Sequence, residues 1–321
     1  MKQMFEQFSW VKILLVLGVY ALVYVLIEID VINAYYQITL VKVGITLIGA
    51  LGLNMILGIS GQFSLGHAGF MAIGAYSVAI VTLAYPSLFG WVVGLLIGIV
   101  ITTIVGLFIA IPTLRLRGDY LAIATLGTGE IIRIVLLNLK ITNGAAGLSS
   151  IPKFTDWTLL YVFIVIALLF MAHIKYSRFG RAALSVKDDE IAAEAMGIQV
   201  TKIKVMIFIF GAIFASIAGA LYASFFYVIK PEAFWISKSI EFLMVVVLGG
   251  MGSISGTIAA AVVMELLTTL LQTLAQVRMI VYALVLIVLM IYRPQGLLGT
   301  KEISINKLFR RKVKADGNTT N

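Results

Sequence analysis

Long apolar stretches separated by short polar breaks recur along most of the chain. They lie at Val11–Ile27, Leu40–Ile59, Leu65–Leu83, Leu88–Ile111, Tyr120–Leu139, Trp157–His173, Val205–Val228, Ser239–Leu248, Thr257–Leu274 and Val277–Tyr292. A bilayer core about 30 Å thick takes about 20 apolar residues per helix. The pattern therefore predicts an all-α, polytopic transmembrane helical bundle of about ten spans. Ser239–Leu248 is short and runs into GGMGSISG, residues Gly249–Gly256, while Leu40–Ile59 runs into GISGQFSLGHAG. Glycine-rich breaks at membrane depth are tolerated only where protein or a watery cavity covers the freed backbone groups. Broken or short helices near the centre of the bundle, facing an internal path, are one reading; tight turns are the other.

Composition narrows the class. Of 321 residues 61% are hydrophobic and 12% charged, against about 25% charged in soluble domains, so a water-soluble fold is excluded. The N-terminal MKQMFEQFSWVK enters its apolar run without a small-residue cleavage site, so the first span is expected to be a retained anchor. The chain has no cysteine and only two histidines, His67 and His173, without metal-ligand spacing; no metal site is expected. The net charge of +9 raises the question of nucleic acid, but the basic residues sit in loops and lack an aromatic-interleaved platform. The N-terminus, Arg115/Arg117, Lys175–Lys204 and the tail from Arg293 hold 17 of the 24 Lys and Arg residues. Placing these in the cytoplasm satisfies the positive-inside rule and gives an N-in, C-in topology. Residues 1–299 are expected to form the membrane domain, and residues 300–321 a basic, disordered cytosolic tail.

Nothing matches G-x-x-x-x-G-K-[ST], and no Gly-Lys pair occurs, so the chain has no phosphate-binding loop of its own. Any work from ATP has to arrive from outside. The candidate receiver is the polar stretch SRFGRAALSVKDDEIAAEAMGIQVTK between Tyr176 and Lys204. Its ALSVKDDEIAAEAMGI segment predicts one helix of about three turns over 185–198. Ser185 or Asp188 would cap its start, and Asp188, Asp189 and Glu190 would suit the helix dipole there. Gly197 would end it in a left-handed conformation. Ile191, Ala195 and Ile198 make a narrow apolar stripe. Its acidic polar face suits a protein partner better than an anionic lipid surface.

Glu190-Ile-Ala-Ala-Glu194-Ala195-Met196-Gly197 resembles the cytoplasmic EAA-type loop of bacterial ABC importer permeases, which docks into ATPase subunits. GLNMILGISGQFSLGHAGFMAIGAY (Gly52–Tyr76), RLRGDYLAIATLGTGEIIR (Arg115–Arg133), NGAAGLSSIP (Asn143–Pro152), SRFGRAALSVKDDEIAAEAMGI (Ser177–Ile198), VVLGGMGSISG (Val246–Gly256) and RPQGLLG (Arg293–Gly299) are similar to blocks of LivM-type branched-chain amino acid permeases. The resemblance implies a non-catalytic permease subunit in the bacterial inner membrane. It implies a related LivH-type permease as partner, two ATPase subunits that bind the ATP and Mg, and a periplasmic protein that delivers leucine, isoleucine or valine. Asp188, Asp189, Glu190, Ala193, Glu194, Ala195 and Gly197 would form the ATPase-coupling surface. Urea and short-amide permeases share much of the same block pattern, so the substrate stays open between the two.

Polar groups inside the apolar runs are the remaining candidates. Glu130 and Arg133, at i and i+3, are placed to pair on one face, and intramembrane charges also mark pathways. Glu241 and Glu265 show no basic partner nearby in sequence; Glu241 lies near a span entrance and Glu265 deep. A proton-coupled secondary transporter would use such carboxylates. Half-helix ends at glycine breaks supply dipoles for a zwitterion. Ser60, Gln62, Ser64 and His67, with Gly252 and Ser253, are therefore candidate path-lining positions, with turn and helix-contact roles as the alternative. Val205–Val228 carries two rows of small residues, Gly211/Ala215/Gly219/Ala223 and Ala212/Ser216/Ala220/Ser224, that permit close helix approach.

Overall fold

An apolar run in lipid can satisfy its backbone groups only within itself, and in the computed structural model the described parts of these runs are mainly helical. The structure describes residues 10–113 and 118–272, with scattered positions between 280 and 299. In chain order the helices are α1 Trp10–Glu28, α2 Ala34–Asn54, α3 His67–Ala84, α4 Leu88–Thr113, α5 Asp119–Asn138 and α6 Trp157–Tyr176. They continue with α7 Arg178–Asp188, α8 Glu190–Ala195, α9 Val200–Phe226, α10 Ile236–Gly249 and α11 Ile254–Leu270. α2 runs on into a wider π turn, Met55–Ile59, so that the whole element spans Ala34–Ile59.

Six helices among the described residues are long and apolar enough to cross a membrane: α2 with its π turn, α3, α4, Tyr120–Asn138 of α5, α6 and α9. Val16–Glu28 and α11 are shorter apolar helices. The expected span at Ser239–Leu248 lies within α10, whose 14 residues reach about 21 Å, short of the hydrocarbon thickness. The ends of the expected Thr257–Leu274 and Val277–Tyr292 spans, Arg115 and Arg117, and the tail 300–321 lie outside the described residues.

Burial sorts the helices into a centre and a periphery. The most apolar windows of α2, α3 and α9 are 83%, 72% and 61% buried, whereas those of α5 and α6 are 22% buried. α9 packs against α2, α3 and α4 together. Its two small-residue rows explain this, because all eight residues are buried. A Cβ on Gly219 would meet the Met71 carbonyl oxygen at 1.9 Å, and one on Gly74 of α3 would meet that of Ser216 at the same distance. The backbones touch, as small-residue interfaces allow. α4 turns the other way: Phe89, Ile104 and Phe108 are exposed, which suits a helix that faces lipid.

The 139–156 connection covers one end of the bundle. Leu148 pairs with Ile229 in a single antiparallel bridge. Thr155 and Trp91 Nε1 both bond the Ser224 hydroxyl, at 2.6 and 2.9 Å. The opposite end holds α7, α8 and the two glycine breaks.

Candidate functional site

The stretch 177–198 is two helices, not one. Ser177 caps α7 by accepting from the Gly180 amide at 3.0 Å. Asp189 then takes an extended backbone, φ −153° and ψ 110°, and its carboxylate accepts from the amides of Ile191 and Ala192 at 2.9 and 3.0 Å. Neither Ser185 nor Asp188 is a cap; an aspartate that bonds its own downstream amides competes with helix continuation and starts a new one. Gly197 does end α8 as its sequence position implies. With φ +81° it donates to the Glu194 carbonyl while Ile198 donates to that of Ala193, a complete Schellman motif.

The apolar stripe is also reassigned. Ala193 is buried with Val186 and Val200, and Ile198 packs against them. Ile191 and Met196 are 71% and 82% exposed, and Ala195 and Glu194 are exposed beside them. With the chain broken at Asp189, the stripe read from one continuous helix is split: Ile191 and Ala195 face outward and Ile198 packs inward. Asp188 and Asp189 are exposed and Glu190 is half-buried.

Lysines join this segment to the glycine breaks. The Lys187 ammonium donates to the Gly58 carbonyl, in the π turn, at 2.8 Å. The Lys175 ammonium donates to the Gly252 carbonyl at 2.6 Å. A π turn leaves carbonyls imperfectly aligned with the helix axis, which frees Gly58 O for an outside donor. Desolvation holds the Lys187 pKa below the ordinary lysine value, with nearby Asp188 opposing the shift. Lys204 of α9 pairs with Glu190 at 2.8 Å, and its carbonyl accepts from Gln62 Nε2 at 3.0 Å.

The two breaks also hold each other. Asn54 donates to the Ser253 carbonyl at 3.0 Å and to Thr257 Oγ1 at 2.7 Å, and its Oδ1 accepts from the Gly252 amide at 2.7 Å. A Cβ on Gly58 would stand 2.3 Å from the Gly252 nitrogen. Gly61, Gly250 and Gly252 have φ of +70°, +107° and +91°, a region that side chains other than glycine occupy at a cost.

Of the path candidates, Ser60, Gln62, Gly252 and Ser253 come together at this junction. Ser60 Oγ donates to the Ile56 carbonyl at 2.8 Å and accepts from Gln62 Nε2 at 2.8 Å. Ser253 caps α11 by accepting from the Gly256 amide at 3.0 Å. Ser64 Oγ is buried without a hydrogen-bond partner among the described residues. His67 opens α3; its Nε2 lies 2.8 Å from the Gly49 carbonyl and its ring meets Phe242 edge-on.

The charged candidates lie elsewhere. Arg133 holds Glu130 through a two-pronged contact, 2.5–3.0 Å, on peripheral α5. Glu265 is buried and accepts from Thr46 Oγ1 of α2 at 2.5 Å. Glu241 does have a local partner, since Lys238 one turn earlier bonds it at 2.8 Å; the i, i+3 spacing was the available signal. Asn54, Lys175, Lys187 and Lys204 carried no such signal. Lys187 and Gly58 are 129 positions apart.

A bundle of apolar helices with one capped, exposed pair of short helices bonded to its broken centre has the build of a multi-pass membrane permease. The model of the family described as branched-chain amino acid transport system, permease component, matches residues 35–292, and the chain belongs to that family. It is 37% identical over 289 residues to the high-affinity branched-chain amino acid transport system permease protein LivM of Salmonella typhimurium, covering 79% of this chain and 68% of the relative. The LivM of Escherichia coli K12 is 36% identical over the same shares. The LivH permease protein of Escherichia coli K12 is 30% identical over 40% of this chain and 42% of its own length. No solved structure matches the chain.

Proposed function

We propose that this chain is a permease subunit of an ATP-driven importer that carries leucine, isoleucine and valine across the bacterial inner membrane. The observation that carries the reading is the bond from Lys187 of α7 to Gly58, at the break in the most buried helix. A push on the exposed α7–α8 pair reaches the centre of the bundle through that bond and the Glu190–Lys204 pair, while Lys175, at the end of α6, ties the second break to the same end. The exposed Ile191 and Met196, flanked by Asp188, Asp189 and Glu194, suit the groove of a cytosolic ATPase. Partner ATPases would bind ATP and Mg, and this chain would bind neither.

The partners of the reading are a LivH-type permease, two ATPase subunits and a periplasmic binding protein. The substrate is the one that the relatives, branched-chain amino acid permease proteins, are named for. About ten spans follow from the apolar runs, and the distribution of Lys and Arg puts both termini inside. That topology puts α7, α8 and both glycine breaks on the cytosolic side, with residues 300–321 as a basic tail.

In the proposed cycle the junction of Ser60, Gln62, Gly252 and Ser253 is the inner gate. Carbonyls and amides at the breaks handle the substrate's charged backbone, and the apolar helix faces handle its side chain. The test is uptake by the assembled transporter in proteoliposomes, with labelled leucine and labelled urea. Leucine uptake that needs ATP and survives a protonophore supports the reading. Urea uptake in its place, or uptake that follows a proton gradient without ATP, overturns it.

A further inference from the structure

A cavity of about 240 Å³ lies between the first glycine break and the α7–α8 pair. Ser60, Gln62, Leu121, Lys187, Glu190 and Lys204 are among its lining residues. It is smaller than the pockets of about 300–1,000 Å³ that take drug-sized ligands and is of a size for a single amino acid. Its chemistry is two-signed. Lys187 uses one of its three N–H donors on Gly58 and Lys204 uses one on Glu190, which leaves donors for a carboxylate.

Acceptors stand in the same walls. Gln62 is 2% exposed and its amide nitrogen is committed to Ser60 and the Lys204 carbonyl. That commitment fixes the orientation of the amide. Its Oε1 is then a buried acceptor without a partner among the described residues, an unfavourable state that a donor would relieve. Glu190 supplies a second, charged acceptor. Phe63, Leu121 and Val186 give the cavity apolar walls. A plain anion would meet Glu190 and leave Gln62 unsatisfied.

We propose that this cavity is a cytosolic-side binding site for a free apolar α-amino acid. Its ammonium takes Glu190 and, with a small shift of the Gln62 side chain that opens its sealed Oε1 to the cavity, Gln62 as well; its carboxylate takes Lys187 and Lys204. The proposal rests on the transport reading above and makes the site one for returned product. Occupancy bridges α7, α8, α9 and the break after α2, so the ligand locks the elements that transmit the push, and rising internal substrate slows import.

The test uses inside-out membrane vesicles holding the whole transporter, without ATP, and tritiated leucine as probe. Two variants are compared with the parent: Leu121→Trp, which fills the cavity, and Gln62→Met, which removes the acceptor at similar volume. Expected is saturable leucine binding weakened at least about tenfold in either variant that folds, the loss of one hydrogen bond to a charged group. Binding that neither variant changes, no saturable binding, or displacement by inorganic phosphate as effective as by unlabelled leucine overturns the proposal. Leucine uptake from the outer face is measured on the same preparations in proteoliposomes. Normal uptake without cytosolic binding sinks this site and leaves the transport reading standing; absent uptake with intact binding sinks the transport reading and the returned-product role with it, and leaves only the binding site.

Discussion

The α3–α4–α9 packing and the junction of residues 54–62 with 249–257 are both built on glycine, and they use it in opposite ways. In the packing, Gly74, Gly94 and Gly219 keep helical conformations and lack a side chain because a neighbouring backbone occupies the space. In the junction, Gly61, Gly250 and Gly252 sit at positive φ and the freed polar groups are held by Asn54, Lys175 and Lys187. The first arrangement is dry and cannot give without separating helices. The second consists of hydrogen bonds that can exchange one at a time. A bundle that changes state should keep the first and rearrange the second.

The comparison breaks most visibly at Gly219 and Gly74. Either residue changed to Leu forces backbones apart, and the expected loss is at least about 3 kcal/mol, the upper end of overpacking costs. It is read as the loss of folded protein on detergent extraction. Folded yield close to the parent's would mean that the packing is not the rigid half. Asn54→Leu should cost about 1–3 kcal/mol, since it strands the half-buried Gly252 amide, while the Ser253 carbonyl keeps Thr257 as its donor. Thermal unfolding of the purified transporter measures it.

Lys187→Met sharpens the contrast. Its bond to Gly58 is proposed to transmit motion, so substrate moved per ATP should fall about tenfold, the size of one charge-assisted hydrogen bond. Folded yield should stay near that of the parent. Equal loss of yield and transport would make Lys187 a structural strut only. Gly197→Ala keeps the chain folded but places alanine in the left-handed region, at a cost of about 1 kcal/mol. The loss is local to α8 and shows as faster amide exchange over 190–198. Glu190→Gln should change stability by less than about 1 kcal/mol, since its pair with Lys204 is partly solvated.

Much of the helical scaffold was legible in the residues because each apolar run has to satisfy its own backbone. The runs placed α2 to α6 and α9 to within about six residues, and the small-residue rows placed a backbone-to-backbone interface on α9. Gly197 was legible as a terminator since only glycine accepts that φ cheaply. The coupling segment was harder. A DDE sequence inside a helix-forming stretch reads as a favourable first turn, and the sequence alone does not say which aspartate caps. Asp189 does, and beyond the break it makes Ile191 and Met196 face outward. Glu241 was misjudged although Lys238 stood one turn away.

The chain order by itself determined that this protein lives in lipid, that its helices meet through small residues, that it lacks a phosphate loop, and which family its blocks resemble. Those properties depend on composition and on spacing within a helix or two, which linear order carries. Which lysine reaches which glycine carbonyl, that Asn54 clamps one break to the other, and that Glu265 meets Thr46 were decided only by tertiary structure. These bonds join positions 77 to 219 residues apart. Their donors look like any polar residue until packing brings an unsatisfied carbonyl or amide within 3 Å.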